Sequence, residues 1–276
     1  MMQTTPFELV IRPRRGWERI HPSEIWAFRE LLGFLIWRDI KIRYKQTLLG
    51  SLWAVLQPLV GMLIFAEVER HVAVIRVSGP PYPLFVYSGL VLWTFFANSV
   101  ALSGNSMIGS EYLIRKVYFP RALVPLASIS ALGLDLVIST AFMGLLLLWY
   151  RWPVPATVLL LPLFAGGAFL SAAGLGMFLA ALNVRFRDVK YAIPFFLQMG
   201  LFATPVIYPL HGVGGRLRTV LALNPVAGMV EGWRAAILGQ PIAWNTVLVS
   251  LAISAVLFWG GLMYFHRSER RFADEI

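Results

Sequence analysis

ALVPLASISALGLDLVISTAFMGLLLLWY, residues 122–150, carries one charge, Asp135. The run is longer than the roughly 20 apolar residues with which an α-helix crosses about 30 Å of hydrocarbon. Working outward, five further windows carry no charge at all: 46–66, 77–110, 152–184, 191–210 and 235–265. In lipid a chain must satisfy its own backbone hydrogen bonds, so such windows read as helices. The composition agrees, with 276 residues, 58% hydrophobic and 14% charged, where soluble domains carry about 25% charge. These features predict an all-α integral membrane protein with six transmembrane helices, at about 50–72, 83–108, 122–148, 156–183, 191–209 and 243–265. Pro194, Pro205 and Pro209 predict that the fifth is kinked or short.

The net charge of +10 follows the spans and does not suggest a nucleic-acid partner. With the N-terminus inside, 18 Lys and Arg fall on inner segments and six on outer ones, namely Arg70, Arg76, Arg151, Arg216, Arg218 and Arg234. That bias predicts a multi-pass protein with both termini cytoplasmic and a short tail at 267–276. The first 45 residues carry charges throughout, including Arg12, Arg14, Arg15 and Arg19. They do not read as a cleavable signal peptide and are expected to remain on the cytoplasmic side.

Two segments outside the spans have helical patterning. Over residues 24–45, Phe28, Leu31, Leu32, Leu35 and Ile36 share one arc of a helical wheel, and Arg38, Lys41 and Lys45 share another, with Arg43 in the same basic segment. This predicts an amphipathic helix in the inner membrane interface, in contact with lipid. A juxtamembrane basic segment without that helix is the alternative. In the outer segment, about 205–242, Asn224-Pro225 signals a helix start. Val226, Met229, Val230, Trp233 and Ile237 then recur at helical spacing up to Gly239. A short amphipathic helix is expected there, resting on or dipping into the outer face.

Much chemistry is missing. There is no cysteine, hence no thiolate site. No lysine follows a glycine, so no phosphate-binding loop of the GxxxxGK[ST] type occurs, and the four histidines form no HExxH. Paired intramembrane carboxylates are absent as well. The chain is therefore expected to be no enzyme, to hold no metal or cofactor, and to be driven from elsewhere. Asp135 stands out, since a charge at mid-span costs about 2.5–3.5 kcal/mol on insertion scales. Ser128, Ala131, Asp135 and Ser139 lie on one stripe that should face protein or water. Asp135 has three readings: an interhelical hydrogen-bonding group, part of a translocation path, or a proton-coupling site. In the fourth span Ala168, Ala172, Gly176 and Ala180 recur every four residues, a stripe for close packing within the subunit or across a dimer. Rings can stack on sugar faces, so Trp53, Tyr87, Trp93, Phe96, Phe196, Phe202 and Tyr208 are candidates to line a glycan path, against the alternative that they pack helices or sit in interfacial belts.

Several strings carry a specific resemblance. RDIKIRYKQTLLGSLWAVLQP at 38–58, YPLFVYSGL and LIRKVYFPR within 82–121, and LNVRFRDVKYAIPFFLQMGLFATPVIYP at 182–209 lead it; LNPVAG at 223–228 and ERRFADEI at 269–276 continue it. Together they resemble the permease subunits of ABC-2 type polysaccharide exporters, most closely those for O-antigen and other lipopolysaccharide glycans. The resemblance implies a homodimer in a bacterial inner membrane and a lipid-linked polysaccharide as cargo. It also implies two copies of a separate ATP-binding subunit that holds ATP and Mg. Residues 110–121 and the N-terminal helix would meet that subunit, which makes Tyr112, Leu113, Ile114, Arg115, Lys116, Phe119 and Arg121 candidate coupling residues. Helices between spans five and six would shape an outer gate. Two departures from the family pattern are AEVERHVAVI at 66–75, with Glu67 and Glu69, and Leu92 where a proline is usual. Export of capsule, teichoic acid or a small amphipathic drug or lipid is the alternative within the class. An enzyme acting on polyprenyl-linked sugars is the alternative outside it, and it lacks the clustered carboxylates or histidines it would need.

Overall fold

The computed structural model describes residues 26–45, 47, 49–72, 79–117, 119–269 and 272. Every regular element among them is helical. Helix α1 (Arg29–Tyr44) precedes span one, α2 (Leu52–Val72), and span two, α3 (Tyr82–Gly109). After the short α4 (Glu111–Lys116), span three is built from α5 (Leu123–Ala131) and α6 (Gly133–Trp149), and span four is α7 (Leu161–Arg185). The remaining helices are α8 (Val189–Phe202), α9 (Gly215–Ala222), α10 (Ala227–Leu238) and α11 (Trp244–Ser268), the last being a further span.

Among the described residues, five helical segments are long and apolar enough to cross a membrane: Leu52–His71, Tyr82–Gly109, Leu123–Trp149, Ala156–Arg185 and Trp244–Ser268. The fifth stretch of the sequence is different. Helix α8 contains Pro194, and its 14 residues reach only about 21 Å. The chain then turns at Ala203 and leaves helical geometry before Pro209, so the expected span at 191–209 is a short helix followed by a turn.

Span two is the hub, with nearly every residue from Tyr82 to Phe96 buried against spans one, three and four and helices α8 and α10. Lipid supplies no hydrophobic force between helices, so close packing and hydrogen bonds must hold them. Span four supplies both. Ala168, Ala172, Gly176 and Ala180 are all fully buried within one copy of the chain, which assigns their stripe to packing inside the subunit. Gly176 lies against Ser103 of span two. On another side, Gly174 meets the backbone of Leu257, and a Cβ on Gly261 would fall 2.0 Å from the Gly174 carbonyl oxygen. Only glycine allows that approach. A serine ladder continues the contact: Ser171 Oγ and Ser254 Oγ are 2.6 Å apart, Ser254 donates to the Ser250 carbonyl, and Ser250 Oγ accepts from the Gly228 N–H of α10.

Candidate functional site

The bundle has two differently equipped ends. One gathers α1, α4 and the C-terminal end of α11; the other gathers α10, the 203–210 turn and the N-terminal end of span two.

At the first end, α4 is only six residues long. It stops at Lys116, where Val117 turns extended, and Pro120 bars a helical Phe119. Ser110 stands at the N-cap position without a side-chain cap bond. The candidate coupling residues divide accordingly. Ile114 and Phe119 are buried anchors. The Arg121 backbone N–H donates to Glu269 Oε1 at 3.1 Å and its guanidinium donates to the Glu269 carbonyl, which ties the loop to the end of α11. Tyr112 is 72% exposed, with the Lys116 ammonium 4.1 Å from its ring centroid, and Leu113 is half-buried beside them. The Arg115 side chain lies outside the described residues, as do Arg270 and Arg271.

Helix α1 lies along α5. Leu35 is buried there, and Phe28, Leu31, Leu32 and Ile36 pack against the core, so the apolar arc faces protein. The opposite face is exposed: Trp26, Phe34 and Trp37, with Lys41 5.3 Å from the Trp37 ring centroid. Arg38 pairs with its neighbour Asp39 at 2.7 Å, and Lys45 is exposed at the helix end.

Asp135 finds its partners on this helix. Arg43 Nη2 approaches Asp135 Oδ2 to 2.7 Å, the Tyr44 hydroxyl donates to Oδ1, and Ser128 Oγ donates to Asp39 Oδ2 at 3.1 Å. Burial, together with the Asp135 carboxylate, pushes the Tyr44 phenol up to about 12, so it remains a donor at neutral pH. The stripe ends on span one, where Ser139 Oγ donates to the Ala54 carbonyl. That bond fixes depth. Span one, Leu52–His71, covers about 30 Å with its 20 residues, one hydrocarbon thickness, and Ala54 stands near its beginning. Asp135, halfway along span three by number, therefore sits level with the start of span one. A paired charge at that boundary is far cheaper than one at the bilayer centre. Beside it is a cavity of about 20 Å³ lined by Gln57, Thr94, Asn98, Asp135 and Ser139, large enough for one water molecule. Asn98 donates across it to Gln57 Oε1 at 3.2 Å.

The aromatic candidates do not form one surface. Tyr87, Trp93 and Phe96 are inside the subunit: the Tyr87 hydroxyl donates to the Ser139 carbonyl, and Trp93 packs on Phe96 and on Gly200. Trp53, Phe196 and Phe202 are exposed, and Tyr208 is partly exposed with its hydroxyl donating to the Phe202 carbonyl.

The other end is organised by Arg234, which sequence reasoning counted among the outer loop charges. Helix α10 is buried on almost every side among spans two, four and the last, and Arg234 is 3% exposed. Its Nη2 donates to the Pro205 and Val206 carbonyls at 2.8 and 2.6 Å, and its Nε to the Phe85 carbonyl at 3.2 Å. The guanidinium lies 3.7 Å from the Phe85 ring centroid, a cation–π geometry. Gly89 makes the room, since a Cβ there would lie 2.5 Å from Nη2. Tyr82 donates to the Ile207 carbonyl, Leu210 N–H to Glu231, and Asn224 Nδ2 to the Ala203 carbonyl. Side chains thus replace the helical bonds that the turn after α8 gives up, as non-helical backbone buried in a membrane protein requires. At the start of span four, Trp152 and Thr157 donate to the carbonyls of Leu238 and Ala236. Glu67, on the last turns of span one, pairs with Arg70 and His71, each at 3.3 Å.

Among the described residues no group of three or more histidines and carboxylates could hold a metal ion. The sequence is 31% identical over 257 residues to the O-antigen export system permease protein RfbA of Myxococcus xanthus, covering 92% of this chain and 98% of that one. It is 28% identical over 246 residues to the protein of the same description from Klebsiella pneumoniae, covering 89% and 94%. The Escherichia coli polysialic acid transport protein KpsM is 24% identical over 242 residues, covering 85% and 92%. The sequence model of the ABC-2 type transporter matches residues 30–238. With that match spanning most of a helical, membrane-type bundle, the chain belongs to the ABC-2 type transporter family.

Proposed function

We propose that the chain is the membrane-spanning permease of an ATP-driven exporter that moves a lipid-linked, O-antigen-like polysaccharide across a bacterial inner membrane. Two copies form the path, and two copies of a separate ABC subunit bind ATP and Mg and supply the work. Both termini are cytoplasmic in this reading, which the basic-residue bias supports. The observation that carries it is the concentration of α1, α4 and the end of α11 at one end of the bundle. Buried Ile114 and Phe119 anchor that end, and Tyr112 and Lys116 are presented outward, in a chain without a phosphate-binding loop. Such a surface suits docking of a motor that the chain lacks. The relatives' descriptions as O-antigen export and polysialic acid transport proteins support the substrate class.

Mechanistically, ATP-driven closure of the motor pair moves the docked ends of the two permeases and opens a path between them. The open and closed forms must then differ in their binding free energy for the closed motor. Deleting the gene in its host tests the reading. Lipid-linked glycan should accumulate on the cytoplasmic side and surface glycan should disappear, both restored by the wild-type gene. Unchanged surface glycan in the deletion strain would overturn it.

A further inference from the structure

We infer that Glu269, at the end of the last span, is a positioning residue for the ATP-binding subunit: it holds the segment after α4 in the shape that presents Tyr112 and Lys116 to the motor. The proposal rests on the reading of the chain as a motor-driven permease and names what sets the geometry of its docking surface.

That segment needs support from outside itself. Helix α4 has six residues, well under the roughly 12–15 at which an isolated helix becomes stable in water. The chain behind it is not helical, with Val117 extended at ψ 133°. Helical bonding resumes only with the Leu123 N–H on the Pro120 carbonyl and the Val124 N–H on the Arg121 carbonyl. The Arg121 N–H is bonded to a side chain from 148 residues further along, Glu269 Oε1 at 3.1 Å. In return the Arg121 guanidinium donates to the Glu269 carbonyl. Ile114 and Phe119 supply two apolar pins, Glu269 supplies the polar one, and between them Tyr112 stands 72% exposed.

Glu269 is seated for this task from its own side. It stands at the C-cap of α11, where its N–H bonds to the Phe265 carbonyl. A carboxylate there lies against the helix dipole, which favours cations at a C-terminus, so ending the span does not explain an acid at this position. Its two oxygens are divided between two partners: Oε1 takes the Arg121 N–H, and Oε2 lies 3.1 Å from Nδ1 of His266, one turn back. Three residues on, Phe272 is buried and meets the Phe265 ring edge to face, with centroids 5.2 Å apart. Helix α11 in turn packs along span four and α10. The loop is thereby referenced to the body of the bundle and not to its neighbours in sequence. Holding a loop in its bound shape raises affinity by cutting the cost of ordering it.

The test titrates the ATP-binding subunit against the full-length permease, with binding read by fluorescence in nanodiscs and glycan export read in proteoliposomes. In Glu269→Ala the subunit concentration for half-saturation should rise about tenfold, the size of one lost charge-assisted hydrogen bond, and saturating subunit should restore wild-type export. Glu269→Gln keeps an oxygen for the Arg121 N–H and should shift half-saturation by less than about threefold. Glu269→Asp keeps the charge but is one methylene short of that N–H, and should weaken docking more than Glu269→Gln does. Wild-type half-saturation in Glu269→Ala would overturn the proposal. So would a lowered maximum with unchanged half-saturation, because loss of folded protein alone produces that. If Glu269→Ala does not fold, the order of the other two decides: docking weaker in Glu269→Gln than in Glu269→Asp would mean that charge, not reach to the loop, is what counts. Wild-type permease that binds the subunit yet moves no glycan would instead refute the assigned function, which separates the two.

Discussion

Replacing Arg234 by methionine should loosen the α10 end of the bundle, because among the described residues it is the hydrogen-bond donor to the Pro205 and Val206 carbonyls. Methionine matches much of the buried volume but donates nothing, which leaves the Pro205 and Val206 oxygens without their bonds of 2.8 and 2.6 Å. A buried acceptor stripped of its partner costs about 1–3 kcal/mol, so two such oxygens sum to about 2–6 kcal/mol. Methionine also removes the penalty of burying a charge, so the net loss falls in the lower half of that range. Arg234→Lys keeps the charge but not the planar fork that reaches three carbonyls, and should be intermediate. Gly89→Ala attacks the same joint from span two, since its Cβ would lie 2.5 Å from Nη2 and 2.9 Å from the Val206 oxygen. Combining it with Arg234→Met should cost less than the sum of the two, because the first clash disappears. Thermal unfolding in detergent measures the loss, and glycan export in cells measures its consequence. An Arg234→Met protein with the wild-type unfolding midpoint would refute the reasoning, for the turn at 203–208 would then be held by other groups.

Four further outcomes follow from the packing. Gly261→Leu places a side chain where only the Gly174 carbonyl fits; it should separate span four from α11 and abolish assembly in a detergent stability assay, whereas exposed Leu248→Ala should not. Asp135→Asn keeps a partner for Tyr44 and should retain most export, whereas Asp135→Leu leaves the partly exposed Arg43 and the Tyr44 hydroxyl without their acceptor and should cost about 1–3 kcal/mol, read as loss of folded protein in membranes. Leu113→Asp or Lys116→Glu should leave insertion intact and reduce co-purification of the motor subunit, which pull-down from solubilised membranes measures. Single cysteines in the cysteine-free chain should label from inside at residue 187 and from outside at 151 and 218; outside labelling at 267 would mean that α8 and its turn do not cross.

Charge-free length makes spans one to four and the last legible, because the bilayer demands it. The fifth stretch is legible only as an exception: Pro194, Pro205 and Pro209 signal the break, but not that Arg234, some thirty residues on, repairs it. That partnership is long-range, and an arginine in the short segment between two charge-free windows reads as a loop charge. The stripe through Ser128, Asp135 and Ser139 is expected to face protein or water, and in the structure it meets α1 and span one; its partner Arg43 reads as an interfacial group because nothing local distinguishes it from Lys41 and Lys45, and Tyr44 carries no local signal at all. Likewise the apolar arc of α1 is visible in its periodicity, but whether it meets lipid or protein depends on where α5 lies. Rings are the least legible. Tyr87 and Trp93 differ from Trp53 and Phe196 only in burial, which the tertiary fold sets.

The most direct test of the account places the purified permease and its ATP-binding subunits in liposomes with a lipid-linked glycan on one leaflet, and follows glycan accessibility on the other side. The account predicts movement that requires ATP, requires both subunits and stops when the motor's hydrolysis is blocked. Movement that proceeds equally without ATP, or no movement of glycan while a small amphipathic drug is carried, would contradict it.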